Sequence, residues 1–183
     1  MDCKSTGKLK LQLLILRSQS GCESGFQELF GLFKGYTFKY LSTLLGQIDA
    51  EDVQQQVWFK VYQQLPSLSN PYGFKRWLTQ VAHRAALDHL KVNRKHRDSV
   101  DPEVEVQDLD KTPQVKIPQD FERLHKALNK LSFEHKEVIL LFYWQEFTCV
   151  EIAQILNCNV GTVKSRLFNA RQQLQRYESI TQT

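Results

Sequence analysis

Within eight residues, Lys164, Ser165, Arg166, Phe168, Asn169 and Arg171 bring together cations, hydrogen-bonding groups and an aromatic ring. Arg pairs best with guanine and Asn with adenine, so this set has the chemistry to read base edges in a DNA major groove. Bond-making chemistry has no comparable nucleus. Cys3, Cys22, Cys149 and Cys158 form no C-x-x-C pair, and His83, His89, His96, His125 and His135 do not stand at zinc-finger spacing from them. Reduced thiols and no structural metal are expected. The chain shows no Gly-rich phosphate loop, no paired-carboxylate constellation and no nucleophile beside a base. Neither a cofactor nor an enzymatic role is expected.

For the basic set to enter a groove it must share one side of a helix, and the residues before it build that helix. Thr148 and Glu151 have the T-x-x-E spacing of a capping box, which starts a helix at Cys149. Ile152, Ala153, Ile155 and Leu156 are its apolar side. Asn157, Cys158 and Asn159 form a short turn, because Asn tolerates left-handed backbone and its side chain can cap the next helix. From about Val160 a second helix places Val163, Leu167, Ala170 and Leu174 on one side at i, i+4, i+7 and i+11, which leaves the basic set on the other. This is a helix-turn-helix. A helical hairpin with an ordinary solvated face would show the same pattern.

The rest of the chain is also helical. GKLKLQLLILRSQSG predicts a short helix ended by Gly21, although period-two alternation at Leu9, Leu11 and Leu13 also allows a strand. A second helix starts near Ser24, with Phe26, Phe30, Phe33 and Tyr36/Phe38 at core spacing, and stops at Gly46. Asp49 is expected to cap a third, AEDVQQQVWFKVYQQL, which buries Val53, Val57, Val61 and Leu65 and projects Asp52, Gln55, Gln56 and Phe59. An exposed Phe in that row suggests a partner surface. Asn70–Pro71 opens a fourth helix running to about Lys95. Its apolar side is Phe74, Trp77, Leu78, Val81, Ala82, Ala85 and Leu90, and its other side is Lys75, Arg76, Gln80, His83, Arg84 and Lys91. A basic stripe of that length argues for phosphate contact. Further on, FERLHKALNKL is one helix. Ser132 caps another, FEHKEVILLFYW, in which Val138, Leu141, Phe142 and Leu140/Tyr143 are expected to be mostly buried.

Charge divides the chain. Residues 1–97 carry fourteen Lys and Arg against seven Asp and Glu, residues 98–120 two against seven, and residues 121–183 eight against six. The middle segment also holds Pro102, Pro113 and Pro118, and its hydrophobic periodicity lapses, so a linker is expected there. The outcome is an all-α protein of two small helical domains joined by an acidic flexible linker, with two basic ends suited to a polyanion. No secretory signal is evident, since Lys10 and Gln12 break the run Leu9 to Leu16, and no apolar stretch reaches membrane-spanning length. A cytoplasmic protein without membrane insertion is expected.

Taken together, AEDVQQQVWFKVYQQL, FKRWLTQVAHRAALDHL with its basic tail, and ALNKLSFEHKEVILLFYWQEFTCVEIAQILNCNVGTVKSRLFNARQQL resemble the signatures of a bacterial RNA polymerase sigma factor. The resemblance is to the extracytoplasmic-function (ECF) subfamily of the sigma-70 family, over roughly residues 9–97 and 121–177. Three long segments in the right order are far more specific than a lone helix-turn-helix. The resemblance implies a sigma region 2 bundle at 9–97, a linker at 98–120 and a sigma region 4 helix-turn-helix at 121–177. It implies a non-enzymatic initiation subunit that binds the clamp and flap of core RNA polymerase and promoter DNA, with a dedicated anti-sigma factor as a further partner.

Carried onto this chain, the family's polymerase-binding motif falls on Asp52, Val53, Gln55, Gln56 and Trp58. The family pattern usually has Glu where Gln56 stands and Phe where Trp58 stands. The minus-ten reading helix falls on Trp77, His83, Arg84 and Asp88, with Lys75, Arg76 and Gln80 on the same basic track; many members have Asn where Arg84 stands. Strand opening at that element needs aromatic or planar cationic faces for unstacked bases. The minus-thirty-five contacts fall on Lys164, Ser165, Phe168 and Asn169, with Thr162, Arg166 and Arg171 nearer the backbone. Arg is common where Asn169 stands, which implies a different preferred base. Two other classes are compatible with parts of the chain. A simple DNA-binding regulator would show a symmetric pairing device, and a helical enzyme would show a catalytic constellation.

Overall fold

The computed structural model describes residues 3–98 and 126–181, and the side chains of residue 7 and of residues 9–93 and 126–177. They form two compact units, Met1–Lys91 and Val92–Thr183. Among the described residues there is no strand.

The first unit begins with α1 (Cys3–Gln19), a helix rather than the strand that leucine alternation also allowed. Gly21 stops it at φ 85°. Its N–H bonds to the Ser18 carbonyl at 3.2 Å, and the Cys22 N–H bonds to the Arg17 carbonyl at 3.2 Å. That pair of bonds is a Schellman closure, which satisfies two carbonyls the helix would otherwise leave open. α2 (Glu23–Leu45) and α3 (Gln47–Gln64) meet at Gly46, whose φ of 90° lets one helix turn directly into the next. Asp49 is therefore not the cap that the sequence suggests. It lies in the first turn of α3, where a carboxylate suits the helix N-terminus, and stands 3.2 Å from His89 Nε2.

Leu65–Ser67 and Pro71–Gly73 are single 3₁₀ turns, the second capped by the Asn70 side chain, which accepts from the Tyr72 N–H at 3.0 Å. α4 (Phe74–Asp98) follows. Ile15, Leu29, Leu41, Val53, Val57, Val61, Leu65, Phe74, Leu78 and Ala86 fill the centre of the unit. The α2 aromatics are more marginal than expected: Phe26 and Phe33 are half-buried and Phe30 is exposed. The buried column of α2 runs through Leu29, Thr37, Tyr40, Leu41 and Leu44, so those rings sit at its edges and pack edge-to-face instead. Phe30 meets Trp58 at 5.0 Å and Phe33 meets Phe74 at 5.1 Å, centroid to centroid.

Polar bonds fix the packing of these helices. Thr37 Oγ1, buried in α2, receives Trp58 Nε1 at 3.1 Å and Gln54 Nε2 at 2.9 Å, both from α3. Tyr36 and Thr79 share a 2.7 Å hydroxyl bond that ties α2 to α4. Burial pushes the Tyr36 phenol well above its ordinary pKa, against the opposing bond to Thr79. At the end of α1, Gln19 Nε2 donates to the Leu65 and Leu68 carbonyls at 3.0 and 2.7 Å.

In the second unit, residues 126–129 are helical; the remainder of the helix expected over FERLHKALNKL lies outside the described residues. So does the expected linker, apart from Asp98, which closes α4. Ser132 caps α5 (Phe133–Ile139) by accepting the His135 N–H at 3.3 Å. The helix then widens into a π turn over Leu140–Trp144, with the Gln145 N–H on the Leu140 carbonyl. Val138 and Leu141 are buried as expected and Phe142 is half-buried; of the Leu140/Tyr143 pair Leu140 is the buried member, and Tyr143 is 56% exposed. α6 (Cys149–Leu156) and α7 (Val160–Thr181) complete the unit.

Candidate nucleic-acid interface

α6 exists to hold α7. Its capping box is complete: the Glu151 N–H reaches Thr148 Oγ1 at 3.3 Å, and Glu151 Oε2 accepts from the Thr148 N–H at 2.9 Å. Two of the helix's open donors are thereby satisfied. Asn157 ends α6 in the left-handed region, at φ 50° and ψ 51°, and Cys158 N–H closes back on the Ala153 carbonyl at 3.0 Å. The chain can then turn within three residues into α7. Ile152 and Ile155 of α6 and Val163, Leu167 and Ala170 of α7 are buried, as their spacing predicts.

With that side fixed, Lys164, Ser165, Phe168 and Asn169 are exposed together on the other side of α7, and Phe168 keeps 59% of its surface. A cation, a hydroxyl, a carboxamide and a ring along two turns form a compact exposed edge with donors and acceptors of the kind that pair with base edges. Ser165 Oγ donates to the Thr162 carbonyl at 3.0 Å in the free protein. Thr162 and Arg166 are half-buried at the margins. The Glu134 carboxyl is held below its usual range, first by its own backbone N–H, then by the Ser132 hydroxyl and the Arg166 guanidinium, against its partial desolvation. Arg171 lies over the Phe142 and Tyr143 rings, at 5.6 and 5.4 Å from their centroids. It braces α7 against the π turn by cation–π contact.

α4 presents the second face. Arg84 and Asp88 are exposed, while Lys75, Arg76, Trp77 and Gln80 are half-buried. Asp88 stands between Lys60, at 3.9 Å, and Lys91, at 3.7 Å. Lys75 turns over the Tyr36 ring at 5.2 Å, and Trp77 packs at 5.9 Å from Phe74. His83, expected on the basic track, is buried at 7% exposure. Buried Thr79 and Ala86 lie one turn before and one turn after it, and that line pulls its ring inward.

α3 presents a third face. Asp52, Gln55 and Gln56 point outward, whereas Val53 and Trp58 are buried and hold the helix in place. Phe59 and Tyr62 continue the outward row at 63% and 64% exposure. Tyr62 escapes a motif-based reading, but its i+7 spacing from Gln55 puts it on that row. Its ring rests edge-to-face on Phe26 at 5.2 Å. Among the described residues, no group of His, Cys, Asp and Glu could hold a metal ion, and no helix is long and apolar enough to cross a membrane.

Comparison with known proteins places the chain in a family. Residues 26–96 match the family model "Sigma-70 region 2", and residues 121–174 match "Sigma-70, region 4". The chain is 30% identical over 138 residues to the RNA polymerase sigma factor SigV of Bacillus subtilis, covering 75% of this chain and 79% of that protein. It is 25% identical over 182 residues to the ECF RNA polymerase sigma factor SigW of the same organism, covering 92% and 97%. Among solved structures, the sigma factor RpoE of Bartonella quintana, in complex with the anti-sigma factor NepR, superposes with a TM-score of 0.72 at 26% identity, over 85% of this chain and 97% of that one.

Proposed function

Because this chain belongs to the sigma-70 family of RNA polymerase sigma factors, we infer that it binds core RNA polymerase and directs it to promoters to initiate transcription. What carries this reading is the outer row of α7, where Lys164, Ser165, Phe168 and Asn169 share one exposed edge over a buried Val163–Leu167–Ala170 side. Residues 121–177 act as region 4 and read the minus-thirty-five element through that edge, with Thr162 and Arg166 steadying the approach to the backbone. Asn169 favours adenine at its position. Residues 9–97 act as region 2.

Within region 2, Asp52, Gln55 and Gln56 meet the polymerase clamp, with Val53 and Trp58 fixing their helix from inside. Lys75, Arg76, Trp77, Gln80, Arg84 and Asp88 form the minus-ten track, and buried His83 supports it. Planar cationic Arg84 and half-buried Trp77 offer surfaces for unstacked bases. The acidic segment 98–120 joins the two domains along the polymerase's nucleic-acid channels. The protein works in the cytoplasm as a binding subunit, and the polymerase supplies the chemistry. An anti-sigma factor that masks these faces is the expected regulator; the likeness to RpoE, solved with NepR, supports this.

The test is reconstituted transcription with core RNA polymerase, this protein and a pool of promoter-like DNA. Specific starts that depend on the added protein are expected, and the selected sequences define both promoter elements. Tight operator-like binding by the protein alone, without starts, would instead favour a simple DNA-binding regulator.

A further inference from the structure

The outer side of α1 belongs to none of the three faces above. Leu14, Ile15 and Ser18 turn into the bundle, where α1 rests on α2 and on both 3₁₀ turns. On the opposite side Leu9, Leu13 and Leu16 are 60%, 56% and 51% exposed. Their i, i+4, i+7 spacing aligns them in one row within about 60° of the helix circumference. Single exposed leucines are ordinary, but three in a row over two turns make a hydrophobic seam that water does not favour. Lys10 and Arg17, both exposed and seven residues apart, line one edge of that row. The sequence of α1 contains four cations and no acid.

Anchors at i, i+4 and i+7 are the pattern by which amphipathic helices recognise one another, and a one-signed edge selects the charge of the partner. We propose that this seam docks an amphipathic helix of another protein, one with leucine-type anchors and an Asp or Glu edge facing Lys10 and Arg17. A second copy of this chain fits poorly. Antiparallel pairing of α1 with itself sets Lys10 against Arg17 with no acid on either helix to offset the repulsion. A membrane surface fits poorly too, since an interfacial helix buries a broad apolar face. Here the other side of α1 is committed to the bundle, which leaves a row one side chain wide. No residue assigned to polymerase or DNA lies on α1, so this inference stands apart from those assignments.

The full-length protein is titrated into a labelled helical peptide of about 18 residues, long enough for five turns. One peptide carries leucines at i, i+4, i+7 and i+11 with a Glu edge; its twin carries Lys in place of Glu. The Glu peptide binds, and the Lys twin binds about tenfold more weakly or not at all. Leu13→Gln weakens the Glu peptide by about tenfold. The double variant Lys10→Glu with Arg17→Glu reverses the preference between the peptides, and circular dichroism verifies that both variants stay folded. Equal binding of the two peptides, no binding of either, or a Leu13→Gln protein that binds like the parent overturns the proposal. Dimerisation of the protein, or its binding to phosphatidylglycerol vesicles, that Leu13→Gln abolishes would assign the seam to one of the rejected occupants and overturn it as well.

Discussion

The Trp58 indole N–H donates to the Thr37 hydroxyl at 3.1 Å, joining α3 to α2 from within the bundle. Gln54 of α3 donates to the same oxygen at 2.9 Å, and Thr37 is 1% exposed. One methyl-sized change thus strands the buried Trp58 donor, while Gln54 Nε2 keeps its 2.6 Å bond to the Lys34 carbonyl. Thr37→Val should lower unfolding stability by about 1–3 kcal/mol, read from the urea midpoint, because a buried donor left without a partner bears its desolvation cost. Thr37→Ser should recover most of the loss. Equal stability of Thr37→Val and the parent would show that the hydroxyl is dispensable.

Thr148 and Glu151 make the corresponding test in the second unit. Thr148→Ala removes the side-chain half of the capping box and should cost about 1 kcal/mol. Thr148→Asp, which can still accept the Glu151 N–H, should cost less. Denaturant melts of the full chain, followed by near-ultraviolet dichroism, rank the two variants.

Glu146 stands at φ 59°, where a β-carbon is unfavourable. Glu146→Gly should raise stability by about 0.5–1 kcal/mol, the relief of left-handed strain net of glycine's greater chain entropy. A higher urea midpoint at unchanged slope is the expected result.

Promoter reading and polymerase binding should separate by mutation. Lys164→Ala should cut transcription from matching promoters about tenfold to a hundredfold, with competition for core polymerase unchanged. Asp52→Ala with Gln55→Ala should weaken that competition instead. A Lys164→Ala protein that lost both activities equally would refute separate surfaces.

Cys22 stands immediately before α2, and its thiol pKa is pulled down to about 7. The Ser24 hydroxyl is the main cause, followed by the Gly25 backbone N–H and the Arg17 guanidinium. The thiolate is the reacting form, so iodoacetamide labelling at Cys22 should rise with pH and reach half its maximum near about 7. Ser24→Ala should move that midpoint upward. Peptide-resolved mass spectrometry distinguishes Cys22 from Cys3, Cys149 and Cys158; a Cys22 midpoint near the free-thiol value of about 8.5 would contradict the geometry.

What could be read in the sequence was local. The Thr148–Glu151 box, the left-handed Asn157 and the Val53–Val57–Val61 column depend on residues within a turn or two of each other, and each appears in the structure. The exposed edge of α7 followed from the same periodicity. What could not be read was which of two competing local signals prevails. His83 is buried because the Thr79–Ala86 line continues through it, although its type suggests a solvated cation. Tyr143, apolar enough in type for a core position, stands exposed on the π turn. Asp49 lost its capping role to a glycine whose φ allows two helices to abut.

The division of α7 into an inner row that builds the domain and an outer row that leaves it bears on how such proteins diversify. Val163, Leu167 and Ala170 are committed to packing, whereas Lys164, Phe168 and Asn169 stand outside it. On the proposed reading, exchanges at the outer positions change the preferred promoter base by base while the scaffold remains intact. A genome can keep many copies of one such scaffold, each addressed to its own set of genes, and the cost of a new address is a few surface side chains.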